Sequence, residues 1–217
     1  MKKSTIMYLT IISTILSIIF ILFTYYGIDR YFEMYIRDTN YFIEKYSQLP
    51  KAKDGRVVIT VTTTPDKIGK MSPMINSVLD QTVKADLIAL VMPAGTKYEV
   101  PAYINKVAVV FEAGKDYGQG TNLVPILLRE KECDTTIIAL KDNIVYGKDF
   151  VEFLMEESVK KPDSVITDKK NTAILVKPEH FGCDVINRDI DKFTDDWFIQ
   201  KAKNKTVVQY SENYRLL

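Results

Sequence analysis

The short stretch Leu140-Lys141-Asp142-Asn143 carries more potential chemistry than any other in this chain. An apolar run, Thr135-Thr136-Ile137-Ile138-Ala139-Leu140, stops abruptly there and then turns through Ile144-Val145-Tyr146-Gly147. In open α/β sheets, ligands sit just beyond the carboxyl ends of the strands. Carboxylate and amide oxygens at such an end suit a metal ion and a phosphate. Lys141 is the odd member of the set, because its ammonium is a fixed point charge where a divalent ion would sit.

The elements around this stretch are those of an α/β protein. Arg56 to Pro65 is β-branched and nearly continuous, as in a buried central strand, and Pro65 ends it. Further strands are expected at Leu87–Pro93, Val107–Phe111, Thr135–Leu140, Val165–Thr167, Ala173–Val176 and Thr206–Val208. Helices are expected at Met71–Thr82, with Ser72 as cap and Pro73 in the first turn, and at Asn122–Glu132, Asp149–Lys160 and Asp195–Ala202. Strand and helix alternate through most of the chain, which predicts a mostly parallel sheet with helices on both faces.

Composition narrows the classes. The 217 residues hold 29 Lys+Arg against 28 Asp+Glu. That balance argues against nucleic-acid binding by phosphate neutralisation. The chain has no C-x-x-C pair and only one histidine, His180, which leaves no zinc site. His180 sits in a Pro-Glu-His-Phe turn and reads as structural. Cys133 and Cys183 read as two small buried thiols, although an oxidising lumen would let them pair. Ile6 to Tyr26 contains no charge and is long enough, as a helix, to cross the ~30 Å hydrocarbon core. Its length and the lack of a small-x-small site argue against a cleaved signal peptide. Lys2 and Lys3 favour a cytoplasmic N-terminus and a lumenal or external domain. Ile28, Tyr35, Phe42 and Leu49 then recur every seven residues, so a stem helix is expected. It would pack on its own domain or on lipid, or else recruit a protein partner. Asn204-Lys205-Thr206 is a sequon with meaning only in a lumenal domain.

Five segments in order resemble a group of membrane-anchored glycosyltransferase-like proteins. Thr60-Val61-Thr62-Thr63-Thr64-Pro65-Asp66-Lys67-Ile68 resembles their T-x-T-T-x-P-x-R/K-I opening. Asn76-Ser77-Val78-Leu79-Asp80-Gln81-Thr82 is similar to their N-S-L-L-x-Q-T helix end. Asp116-Tyr117-Gly118 with Thr121, Leu123 and Pro125 resembles D-Y-G-P-A-T-K-L-L-P. Asp142, Ile144 and Tyr146 fall where those proteins carry D-D-D-I-x-Y, and Phe193-Thr194-Asp195-Asp196-Trp197 is similar to an acidic segment near their end. The resemblance implies a Rossmann-like GT-A-type fold. The chain then divides into a cytoplasmic tail (1–5), a transmembrane anchor (6–27), an amphipathic stem and linker (28–55) and a glycosyltransferase-like domain (56–217).

The same resemblance implies a nucleotide-sugar as ligand and transfer of its sugar to a hydroxyl acceptor. Thr62 and Thr63 would line the nucleotide crevice, although strand propensity alone also explains them. Asp116 would accept a hydrogen bond from base or ribose, or is an ordinary turn residue. Asp195 or Asp196 would be the general base, or both are acids favoured at a helix N-terminus. Of the metal-binding triplet only Asp142 remains, flanked by Lys141 and Asn143, and the family's lysine in the D-Y-G segment is Asn122. Lys141 would either replace the metal against the diphosphate or pair with Asp142 in a dead site. Two departures at charge-bearing positions favour a degenerate metal site. The alternative is a non-catalytic scaffold of a membrane-associated assembly, for example a viral capsid component.

Overall fold

The computed structural model describes residues 3–25, 27–52, 55–96, 99–115, 117–130, 132–181, 204–210 and 215–216. Asp116, Cys183, Asp195, Asp196 and the helix expected at 195–202 lie outside these residues. The β-branched runs form β1 (Val57–Thr62), β2 (Leu87–Met92), β3 (Val109–Glu112), β4 (Thr136–Leu140), β6 (Ser164–Asp168), β7 (Ala173–Val176) and β8 (Asn204–Val208). Together they make one sheet in the order β3-β2-β1-β4-β7-β6-β8. A short β5 (Ile144–Val145) pairs separately with β9 (Arg215–Leu216).

The sheet is mixed rather than simply parallel. Six strands run one way, and β7 runs against both β4 and β6. The cause is local: the few residues between β6 and β7 are too short for the crossover a parallel pair needs. The chain winds from β1 outward to β3 and then returns to place β4 on the other side of β1. The carboxyl ends of β1 and β4 are therefore the switch point of the sheet.

Side chains alternate across each strand, and both faces are covered. Val57, Ile59, Val61, Leu90, Ile138 and Leu140 face a core with α4 (Ser72–Leu79) and α7 (Phe150–Lys160). Val58, Ala89, Val91, Ile137 and Ala139 face a second core with α6 (Val124–Arg129). The segment expected as one helix from Asn122 is thus a 3-10 turn over Gly118–Asn122 followed by α6, with Pro125 in its first turn. Ser72 does not cap α4. It is the first helical residue, and its hydroxyl lies 3.3 Å from that of Thr39. A single turn, α5 (Ala102–Asn105), precedes β3.

At the N-terminus, α1 (Lys3–Tyr25) buries nothing and is long and apolar enough to cross a membrane. The stem is two helices, not one: α2 (Ile28–Ile36) and α3 (Thr39–Ser47). The chain breaks at Asp38, whose extended backbone and side chain cap α3 by accepting the Asn40 N–H at 2.7 Å. The break resets the helical phase. Met34 is fully buried while Tyr35, a member of the seven-residue series, is exposed. Phe42 and Tyr46 are buried beside Met34 in the same core as Ile75 and Leu79. Each such burial contributes about 1.5–3 kcal/mol, so the stem is integral to the domain's core.

Candidate functional site

α4 is the joint that holds the domain together. Asn76 donates to the carbonyls of Met34 (2.8 Å) and Arg37 (3.3 Å) and so fixes the end of α2. Asp80 is buried and pairs with Arg30 at 2.7 Å and with Lys45, which ties both stem helices to α4. Ser77 accepts the Tyr146 N–H at 3.1 Å, and Gln81 donates to the Gly147 carbonyl (2.7 Å) and accepts the Val151 N–H (2.9 Å). The Asn-Ser-x-x-Asp-Gln pattern in this sequence is therefore a set of ties between stem, α4 and the turn after β4.

Tyr146 carries that order to the strand end. Its ring is buried and stacks on Phe150 at 5.0 Å. Its hydroxyl accepts the Lys141 N–H (2.8 Å) and lies 2.9 Å from the Thr172 carbonyl. Burial raises the phenol pKa well above its usual value, so the group stays a neutral donor. On the other side, Asp168 shapes the β6–β7 turn. Its carboxylate accepts the backbone N–H groups of Lys170 (3.0 Å), Thr172 (2.6 Å) and Ala173 (2.9 Å). Asn171 takes the left-handed conformation, φ 54°, that this tight turn needs.

Between these supports, at the switch point, lies an open crevice of about 480 Å³. Thr62, Thr63, Thr64 and Lys67 line it after β1, Lys141 and Asp142 after β4, and Asn171 and Thr172 before β7. Asn143 does not line it. Gly118, at φ 56°, turns the chain at its wall. Asn122 is at the wall too, but its side chain is engaged. Its amide nitrogen donates to the Leu140 carbonyl at 2.9 Å, and the Thr60 hydroxyl lies 2.7 Å from the Asn122 main-chain carbonyl and 3.3 Å from its side-chain oxygen. An asparagine at this position ties β1 to β4.

The electrostatics of the crevice are lopsided. Among the described residues, two lysines, Lys67 and Lys141, line it against one carboxylate, Asp142. One oxygen of Asp142 accepts the Thr63 hydroxyl at 2.8 Å, and the other lies 4.0 Å from the Lys67 ammonium. Lys141 is exposed. Among the described residues, the buried hydroxyls of Thr62 and Thr172 have no hydrogen-bond partner, and the same holds for Arg30 Nη2, Asn76 Oδ1, Thr135 Oγ1 and Ser158 Oγ elsewhere.

A Mn²⁺ or Mg²⁺ ion does not fit the described residues. No group of three acidic, histidine or cysteine side chains that could hold an ion occurs among them. The one carboxylate is already shared between a hydroxyl and an ammonium, whereas a hard cation demands several oxygens. His180 lies outside the crevice-lining set. Its Nε2 donates to the Pro162 carbonyl at 2.9 Å and its Nδ1 accepts the Lys177 N–H at 3.2 Å. Burial lowers its pKa and keeps it neutral. Cys133 is exposed, contrary to the buried thiol expected.

Lys67, Asn171 and Thr172 were not singled out by the sequence. Lys67 stood within the Thr-Thr-Thr-Pro-Asp-Lys run, with nothing to show that it folds back toward Asp142. Asn171 and Thr172 reach the crevice because Leu140 pairs with Ala173 across β4 and β7.

Sheet order, a crevice at the switch point and helices on both faces define a mixed α/β fold of the open, Rossmann-like kind. No protein-family model matches the chain, and no curated protein matches it at a significant level. Among solved structures it is similar to the crystal structure of S. aureus TarS, with a TM-score of 0.55 and 12% sequence identity. The match covers 74% of this chain and 36% of that one, so the chain spans well under half of that neighbour's length. At this identity the likeness shows a shared fold alone.

Proposed function

We propose that this chain is a membrane-anchored glycosyltransferase-like protein that binds the diphosphate of a nucleotide-sugar through lysines, without a divalent cation. The observation that supports this most is the pair Lys67 and Lys141 facing one carboxylate in an open crevice at the switch point. In this reading the two ammonium groups neutralise the diphosphate as point charges. Thr63 holds Asp142 so that its carboxylate does not quench both lysines. Transfer to a hydroxyl acceptor is the reaction such a crevice would serve, with Asp195 or Asp196 as base. The domain lies on the lumenal or external side.

A second reading has its own support. Asn122 is committed to joining β1 and β4, which suits a fold kept for its shape rather than its chemistry. In that case the protein is a non-catalytic scaffold. Titrating the detergent-solubilised full chain with UDP- and GDP-sugars, in EDTA and in Mn²⁺, separates the two. Saturable binding in EDTA is the expected result. Binding that requires Mn²⁺ contradicts the lysine reading, and no binding under any condition leaves the scaffold.

A further inference from the structure

α2 has two unlike faces. Met34 is wholly buried against α4, whereas Phe32, Tyr35 and Ile36 are 47%, 65% and 73% exposed. Large apolar side chains this close together in water lose about 25 cal/mol for each Å² left uncovered. Their position in the chain identifies what covers them. α2 begins three residues after α1 ends, with Gly27 between them in the left-handed conformation at φ 62°. That glycine turns the chain sharply. The Phe32 ring stacks on the Phe23 ring, centroids 5.9 Å apart and planes at 24°. Nine residues along a continuous helix would separate them by about 13 Å. The bend therefore returns Phe32 to the level of the last turn of α1, the apolar helix.

We propose that α2 is an interfacial helix whose Phe32, Tyr35 and Ile36 lie in the headgroup boundary of the bilayer that α1 crosses, seating the domain directly on the membrane. Aromatic rings with one polar end favour that layer. The charges of α2 agree with shallow insertion. Arg30 turns inward to Asp80, and Glu33 is paired with Arg37 at 3.0 Å. Arg37 also lies over the Tyr41 ring at 4.7 Å. Asp29 is exposed at the helix start, which limits depth to the boundary, the ~5–10 Å usual for such helices. The seat is coupled to the crevice through one side chain. Arg30 donates to the Tyr146 carbonyl at 2.9 Å, and the Tyr146 hydroxyl reaches Lys141 and Thr172.

The proposal rests on α1 spanning the bilayer, and the test separates the two. The full chain, with Cys133→Ser and Cys183→Ser, is reconstituted in phosphatidylcholine vesicles. Single cysteines at Tyr35→Cys, Ile36→Cys, Leu16→Cys or Lys161→Cys carry a nitrobenzoxadiazole fluorophore, and nitroxide lipids quench it. Strong quenching at Leu16 by mid-chain nitroxide is expected. At Tyr35 and Ile36, quenching by shallow nitroxide is expected at least twofold above that at Lys161. Quenching at Leu16 with none at Tyr35 and Ile36 overturns the seating and leaves the anchor. No quenching at Leu16 overturns both. Energy transfer between copies labelled at Tyr35, without lipid quenching, assigns the face to a second copy and overturns the seating.

Discussion

Two regions of this molecule bury polar side chains to different ends. On α4 and just past its end, Asn76, Ser77, Asp80 and Gln81 are all buried, and each is bonded to another element: a stem carbonyl, a stem cation or the turn after β4. At the crevice, the hydroxyls of Thr62 and Thr172 are buried with no partner among the described residues, and Lys67 and Lys141 stand exposed. A buried polar group left without a partner costs about 1–3 kcal/mol. Such atoms occur in both regions among the described residues, Arg30 Nη2 and Asn76 Oδ1 at the α4 joint and the Thr62 and Thr172 hydroxyls at the crevice. The difference lies in the charges: those at the α4 joint are paired inside the protein, and the two lysines at the crevice stand exposed, which teaches where to look for function.

The comparison breaks most readily at Asp80. Asp80→Ala strands Arg30 and Lys45 against an apolar core and should cost about 3 kcal/mol in urea denaturation. A loss below 1 kcal/mol would mean that the stem is not held through this triad. Next comes Asp168→Ala, which leaves three backbone N–H groups of the β6–β7 turn without their acceptor. A cost of about 2–3 kcal/mol is expected, with a matching fall in nucleotide affinity because Asn171 and Thr172 move. Unchanged affinity would detach that turn from the site.

Smaller effects sharpen the division. Tyr146→Phe keeps the buried ring but removes the acceptor for the Lys141 N–H, and about 1 kcal/mol should be lost by thermal melting. An unchanged melting temperature would show that the Thr172 carbonyl alone holds Lys141. The weakest effect concerns pH. His180 has a folded pKa below its ordinary 6.5 because burial disfavours the charged ring. Its contribution is complete above about 6.5, where the unfolded chain is neutral as well. It is lost as pH falls through the lowered folded value, because the unfolded chain takes up a proton that the folded chain resists. Stability should therefore fall between pH 7 and pH 5, and His180→Gln should flatten that slope. An equal slope in the variant would assign the loss to other groups.

Much of the framework was legible in the sequence. β1 and β4 announce themselves as unbroken β-branched runs, and Ala173–Val176 was placed to the residue. Their ends point to a crevice before any coordinates exist. The sheet's one reversed strand was not legible, because pairing direction depends on the length of a turn whose own ends were uncertain. The stem misled through periodicity: a series through Tyr35 and Phe42 spans the Asp38 break, after which the phase restarts and Met34 takes the buried place. Lys67 was missed for a different reason. Its approach to Asp142 joins residues 75 positions apart, and no local pattern encodes that distance.

The central claim is that two lysines, not a metal ion, make this crevice a diphosphate site. Its most direct test is UDP and GDP affinity in EDTA, measured by calorimetry on the full chain and on Lys67→Ala, Lys141→Ala and the double variant. Neither lysine is buried, so folding stability should stay within about 0.5 kcal/mol. Each single change should weaken binding about tenfold, or about 1.4 kcal/mol, and the double change about a hundredfold. Wild-type affinity in the double variant, or binding restored to any of them only by Mn²⁺, would contradict the account.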